Sequence, residues 1–168
     1  ASDGTLTSTK AVTVSVADVA PAIGSGAAGS VSDGAAAGTT VYTAAATDIA
    51  GGAVSYSLSG TDAGSFSINS STGVVTINAV PDFASKSSYS FDVVASDGVL
   101  ASTKSVTVSV SNVAPGFNSG ATGSVTEGAA SGTAVYTAVA SDVSSGTVSY
   151  SLSGTDAGSF TIDASTGV

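Results

Sequence analysis

Apolar side chains fall on every second position through much of this chain. Val12, Val14 and Val16 do so, as do Val54, Tyr56 and Leu58, then Tyr89, Phe91, Val93 and Ala95, and finally Val106, Val108 and Val110. A period of two places alternate side chains on one face of a strand, so each stretch reads as a β-strand with one buried face. Glycine and Asx clusters break the runs: Ser2-Asp3-Gly4, Gly51-Gly52, Gly60 to Gly64, Ser71-Thr72-Gly73 and Asp97-Gly98. These residues supply the backbone conformations that reversals need. The pattern predicts a short strand near Val31 and strands over 39–46, 53–59, 66–68, 74–77, 88–96 and 104–110. Strands this short, separated by turns every 8 to 12 residues or so, are the mark of a sandwich. No segment carries the 3.6-residue period of a helix.

The strands recur as a set. VSYSLSGTDAGSF at 54–66 returns unchanged at 148–160, a shift of 94. Residues 1–74 laid over 95–168 give 52 identities in 74 positions without a gap. A repeat of this size means a small domain in each period rather than one large fold. The expected organisation is the last strand of a preceding repeat at 1–20, a complete domain at 21–114 and the first strands of the following repeat at 115–168. The class is all-β: tandem seven-stranded sandwiches with a period of 94 residues.

Composition narrows the function. Apolar content is 42%, mostly Ala and Val, so each unit buries a thin core. Only 9% of residues are charged, against about a quarter in most proteins, which leaves a surface of Ser, Thr and Gly. A net charge of −9 argues against nucleic acid and anionic membranes, since nothing neutralises phosphate. Without Cys or His there is no disulfide framework, no thiolate metal site and no base for a serine nucleophile, so catalysis is not expected. No run of about 18 apolar residues appears, so no membrane span is expected within this stretch. Phe66, Phe91, Tyr56 and Tyr89 take the inward phase of their strands, whereas Tyr42 and Tyr136 fit either face. Phe83 and Phe117, beside loop and linker, are placed to seal a junction between domains.

Five phrases in order, GxxVYTAxAxD (Gly38 to Asp48), FSINSSTGVVTI (Phe66 to Ile77), PDF (Pro81 to Phe83), YSFDVVASDG (Tyr89 to Gly98) and VTVSVSNVAP (Val106 to Pro115), resemble a bacterial cadherin-like repeat. The resemblance covers the whole period. It implies Greek-key sandwiches, immunoglobulin-like in outline, strung end to end in secreted or surface-anchored adhesins, stalks and matrix fibres.

It also implies calcium between successive domains. Asp33 and Glu127 match the family's early Glu; Asp48 and Asp142 match the first Asp of Asp-x-Asp, whose second Asp is Ala50 or Ser144 here. Asp82 matches the Asp of Leu-Asp-Arg-Glu, whose Glu is Ala84, and Asp97 matches the Asp that closes the sixth strand. Asp18 and Asn112 are what remains of the Asp-x-Asn-Asp-Asn linker. The implied sites gather Asp18, Asp48 and Asp97 at one end of the complete domain and Asp33, Asp82, Asn112 and Asp142 at the other. Calcium takes six to eight oxygens, several of them carboxylate, so these depleted sets hold it weakly at best. The plainer reading is that the same Asp residues cap turns, accepting backbone N–H groups.

The expectation is therefore a spacer, stalk or matrix element of a long extracellular bacterial surface protein, partnered by neighbouring repeats of its own chain or by identical chains. Two rivals differ in class: a calcium-dependent adhesion module for a cell-surface or polysaccharide ligand, and a filament subunit assembled by strand exchange. Differences between the repeats, such as Ala22-Ile23-Gly24 against Gly116-Phe117-Asn118, cluster near the linker, which favours the structural reading.

Overall fold

The computed structural model describes residues 1–144 and 146–168. In the middle segment the alternating stretches pair as β1 (Ala22–Ile23), β2 (Ala28–Ser32), β3 (Thr40–Thr43), β4 (Ala46–Thr47), β5 (Ser55–Ser59), β6 (Phe66–Ile68), β7 (Val74–Ile77), β8 (Ser88–Ser96) and β9 (Ala101–Ser111). One sheet has the order β2-β9-β8-β5, a second has β3-β7-β6, and β1 pairs with β4. A single 3₁₀ turn, Ala63–Ser65, leads into β6. The seven predicted strands are all present in this segment, and the short β1–β4 pair is added to them. All ladders are antiparallel except one: β2 runs parallel to β9, from Ala28 opposite Thr107 to Ser32 opposite Ser111.

The two sheets face one another over a core of Val, Ile and aromatic side chains. Val93 and Val108 are fully buried and Phe91 is 1% exposed. Phe91 stacks tilted on Phe66, with ring centroids 4.8 Å apart, and meets Tyr42 edge-on at 6.4 Å. Phe66 in turn meets Tyr89 edge-on at 5.3 Å. Such edge and tilted contacts match the aromatic quadrupole and add to the burial of the rings. The ambiguity at Tyr42 resolves through a bulge: the β3–β7 register slips between Thr40 and Tyr42, so the adjacent Val41 and Tyr42 are both buried. The Tyr42 hydroxyl donates to the Gly26 carbonyl at 2.5 Å and lies 2.7 Å from the Ser25 hydroxyl, so its polar tip is satisfied.

Asp62, read from sequence as a turn residue, does more. Its Oδ1 accepts from Lys86 Nζ at 2.5 Å and its Oδ2 from the Ser90 N–H at 2.7 Å, tying the loop before β6 to the start of β8. The Lys86 ammonium, and then the Ser90 N–H, hold the Asp62 carboxyl below its ordinary range. Lys86 also lies 4.8 Å above the Tyr89 ring.

The segments on either side of the complete domain pair little. Residues 5–20 carry the same alternation as β9 but form no strand; the one pairing there is a bridge between Ser2 and Thr7. Val12, Val14 and Val16 are 76%, 80% and 93% exposed, whereas their counterparts Val106, Val108 and Val110 are buried between β2 and β8. A ladder needs a partner on at least one side, and residues 5–20 have none. Likewise, among the described residues of 115–168, where the first strands of the following repeat are expected, only β10 (Gly116–Phe117) and β11 (Ala140–Ser141) form a ladder.

That last segment still follows the path of the complete domain. Ala138 N–H donates to Gly167 O at 2.8 Å as Ala44 N–H does to Gly73 O at 2.9 Å. Tyr150 accepts from Ala140 N–H as Tyr56 does from Ala46 N–H. Val125, Leu152 and Phe160 line an open apolar groove of about 400 Å³ and stay exposed. Phe117 is exposed in β10 and seals nothing, while Phe83 packs partly buried on the core.

Candidate functional site

The residues that the sequence marks for chemistry lie on the loops at the two ends of the sandwich. At the end where β5 begins and β8 finishes, Asp48 and Asp97 each shape a turn. Asp48 Oδ1 accepts the Ala50 N–H at 2.7 Å. Asp97 Oδ1 accepts the Val99 and Leu100 N–H groups, both at 2.8 Å, and those two bonds, Leu100 first, hold its carboxyl below the ordinary value. Each residue keeps its second oxygen, Oδ2, out of solvent and without a hydrogen-bond partner among the described residues. A withdrawn carboxylate oxygen without a donor is costly to leave so. Asp18 lies apart, exposed in the segment without strands.

The opposite end is built differently. Asp33, immediately after β2, is the buried charged residue of the described set, 4% exposed. Its own N–H donates to Ser111 O at 2.9 Å, which fixes it beside the end of β9. Its Oδ1 accepts the Phe83 N–H at 3.0 Å, and its Oδ2 accepts the hydroxyl of Ser144, from the following repeat, at 2.7 Å. Ser144 is itself held by Asp142, whose Oδ1 accepts the Ser144 N–H at 3.1 Å and makes a longer contact of 3.2 Å with the hydroxyl. Next to Asp33, Gly34 has φ +71 and donates to Pro81 O at 3.0 Å. A Cβ built on Gly34 would come within 3.0 Å of Val143 Cβ, so the glycine lets the next repeat's loop settle close.

Asp82 caps its own loop, with Oδ1 accepting from Ala84 N–H at 2.9 Å and Oδ2 from Ser85 Oγ at 2.7 Å. Asn112 is exposed, directly after β9. The structure therefore brings Asp33 and Asp142 to one place, joined through Ser144, and Asp82 caps its own turn. No group of three or more His, Cys, Asp or Glu side chains converges to hold a metal among the described residues. Sequence reading noted Ser144 as a lost carboxylate and gave no role to Gly34 or Val143. An apolar residue and a hydroxyl in an exposed loop carry no signal until the neighbouring domain is placed against them.

At this junction the side chains do not suit a calcium ion. Both oxygens of Asp33 already accept short bonds, and the second carboxylate of the family's Asp-x-Asp is a hydroxyl, well short of a shell of six to eight oxygens. At the other end, the Oδ2 atoms of Asp48 and Asp97 stay buried without a hydrogen-bond partner among the described residues.

Comparison with known proteins agrees with this geometry. The family model for the cadherin domain matches residues 27–111. Comparison with curated proteins returns no match by sequence. Among solved structures, human protocadherin-24 EC1-2 is similar at a TM-score of 0.56 and 21% identity, over 78% of this chain and 63% of that one. Drosophila N-cadherin EC1-3 is similar at 0.53 and 22%, over 57% and 35%. Mouse cadherin-23 EC22-24 is similar at 0.50 and 26%, over 88% and 52%. The chain thus spans less than two thirds of the length of each of these structures. Among the described residues no helix is long and apolar enough to cross a membrane. With the family model covering half the chain and the two-sheet sandwich in place, the chain belongs to the cadherin-domain family, whose domains are extracellular adhesion modules and not enzymes.

Proposed function

We propose that the chain is a stretch of a long bacterial surface or matrix protein in which near-identical cadherin-like units, each spanning a period such as 21–114, act as a spacer or stalk. The observation that carries this reading is the 52 identities in 74 aligned positions between successive periods. Units that each recognised a different ligand would diverge on one face, whereas units that only supply length do not. The Val-Ala-Pro linkers at 19–21 and 113–115 limit bending, since Pro fixes its own φ and biases the preceding residue toward extended backbone. The low-charge, net-acidic surface keeps neighbouring units apart in solution. Its partners are adjacent repeats and identical chains, and its place is outside the cell. Arrays of two, four and eight periods, imaged by electron microscopy, should lengthen in proportion to the number of units. Compact particles whose diameter grows only as the cube root of mass would overturn the reading.

A second reading adds calcium at the end that faces the preceding repeat. It rests on the buried, partnerless Oδ2 atoms of Asp48 and Asp97. Bound there, calcium would supply the positive charge that those oxygens lack, and the two turns would hold the carboxylates in position for it. Because an ion that binds only the native state raises stability, millimolar calcium added to the chelated chain should raise Tm, and Asp48→Asn with Asp97→Asn should abolish the rise. An unchanged Tm in the wild-type chain, or a rise that survives both substitutions, would refute calcium at these residues.

A further inference from the structure

The end of the sandwich that meets the next repeat has the family's carboxylates but not the family's opening for an ion. Asp33 is buried, and a buried carboxylate is tolerated only when donors surround it. Here the donors are the Phe83 N–H within the domain, at 3.0 Å, and the Ser144 hydroxyl across the boundary, at 2.7 Å. The Asx turn of Asp142 fixes the position of Ser144, and the close approach of Gly34 to Val143 sets the distance between the two loops. We propose that successive repeats are locked here by a metal-independent joint, in which the Ser144 hydroxyl donates its one proton to Asp33 while Asp142 holds the Ser144 N–H, so that a direct hydrogen bond joins the repeats.

The arrangement accounts for several substitutions at once. A serine in place of a second Asp removes a negative charge that would repel Asp33 and supplies a donor in its stead. An Asp at position 33, shorter than Glu, suits a hydroxyl reached directly at hydrogen-bond distance. Gly34 removes the side chain that would hold the loops apart. The joint is also specific to its repeat: the counterpart of Ser144 in the first period is Ala50, which has no hydroxyl to give, and the counterpart of Asp33 in the second is Glu127. Junctions along the array therefore come in two kinds, those closed by a hydroxyl and those without one.

The inference rests on reading the chain as consecutive repeats, and its test separates the two. The chain has no cysteine, so spin labels attach only at introduced sites. Ser71→Cys and Ser131→Cys place one label on an exposed loop of each repeat. Double electron–electron resonance on the full chain should give one narrow distance distribution, the same in chelator and in millimolar calcium. Ser144→Ala should broaden it under both conditions while the circular dichroism stays unchanged. Ser144→Asp should broaden it in chelator, by repulsion from Asp33, and narrow it again with calcium. A wild-type distribution that is broad in chelator and narrows with calcium would overturn the joint. So would a width unaffected by Ser144→Ala, and neither result would alter the length of the arrays.

Discussion

Phe91→Ala is expected to destabilise the complete domain by about 3–5 kcal/mol, the cost of removing a buried aromatic side chain and leaving its cavity. The site offers little room to collapse. Phe91 sits near the centre of β8, with Phe66 at 4.8 Å and Tyr42 at 6.4 Å across the sandwich, in a core otherwise made largely of β-branched Val and Ile side chains with few alternative rotamers. A domain of this size has a total stability of roughly 5–15 kcal/mol, and the thin Ala- and Val-rich core points to the lower part of that range. Urea titration of the 168-residue chain, followed by tyrosine fluorescence, should show the main transition moving to much lower denaturant. Phe91→Leu, which refills most of the volume, should cost less than half as much. Equal midpoints for Phe91→Ala and wild type would mean that the three rings are not the keystone of the core.

Gly73→Ala is expected to cost about 3 kcal/mol, combining left-handed backbone strain with a collision. Gly73 has φ +71, and a Cβ there would press directly into the carbonyl oxygen of Ala44, on a backbone that cannot swing away. The same turn bonds back to β3, because Ala44 N–H donates to Gly73 O at 2.9 Å. The β6–β7 hairpin and the end of β3 would shift together. Gly98→Ala is the comparison: φ is +98 but nothing lies within 4 Å of its Cβ, so it should cost only about 1–2 kcal/mol. Thermal unfolding of the two variants side by side separates conformational strain from contact, and equal losses would show that the Ala44 carbonyl plays no part.

Much of the sandwich is legible in the chain because its signal is local. Tyr89, Phe91, Val93 and Ala95 alternate inward in β8 as the period of two dictates, and Asp97-Gly98 turns the chain where expected. Residues 5–20 show the limit of that signal. They carry the valines of β9 almost letter for letter, yet without flanking strands they form none, so alternation states what a segment can do and pairing decides whether it does. Tyr42 could not be oriented from sequence because a bulge in β3 breaks the period at that residue. The carboxylates were found by position in the repeat, but which of them meet depends on how two domains dock. Ser144, the residue that joins Asp33 to Asp142, appeared in the sequence only as a missing Asp.

The parallel pairing of β2 with β9 has a consequence for how the unit bears load. After the two-residue β1, which pairs with β4, the chain runs into β2, and it leaves through β9; the two lie side by side with Ala28 opposite Thr107 and Ser32 opposite Ser111. A pull on the two linkers therefore draws the strands past each other along their length. The hydrogen bonds between them are strained in shear, all together, rather than opened one at a time from an end. Resistance to forced extension is set by the unfolding barrier and not by equilibrium stability. A domain with a thin core can thus be easy to melt and still hard to tear.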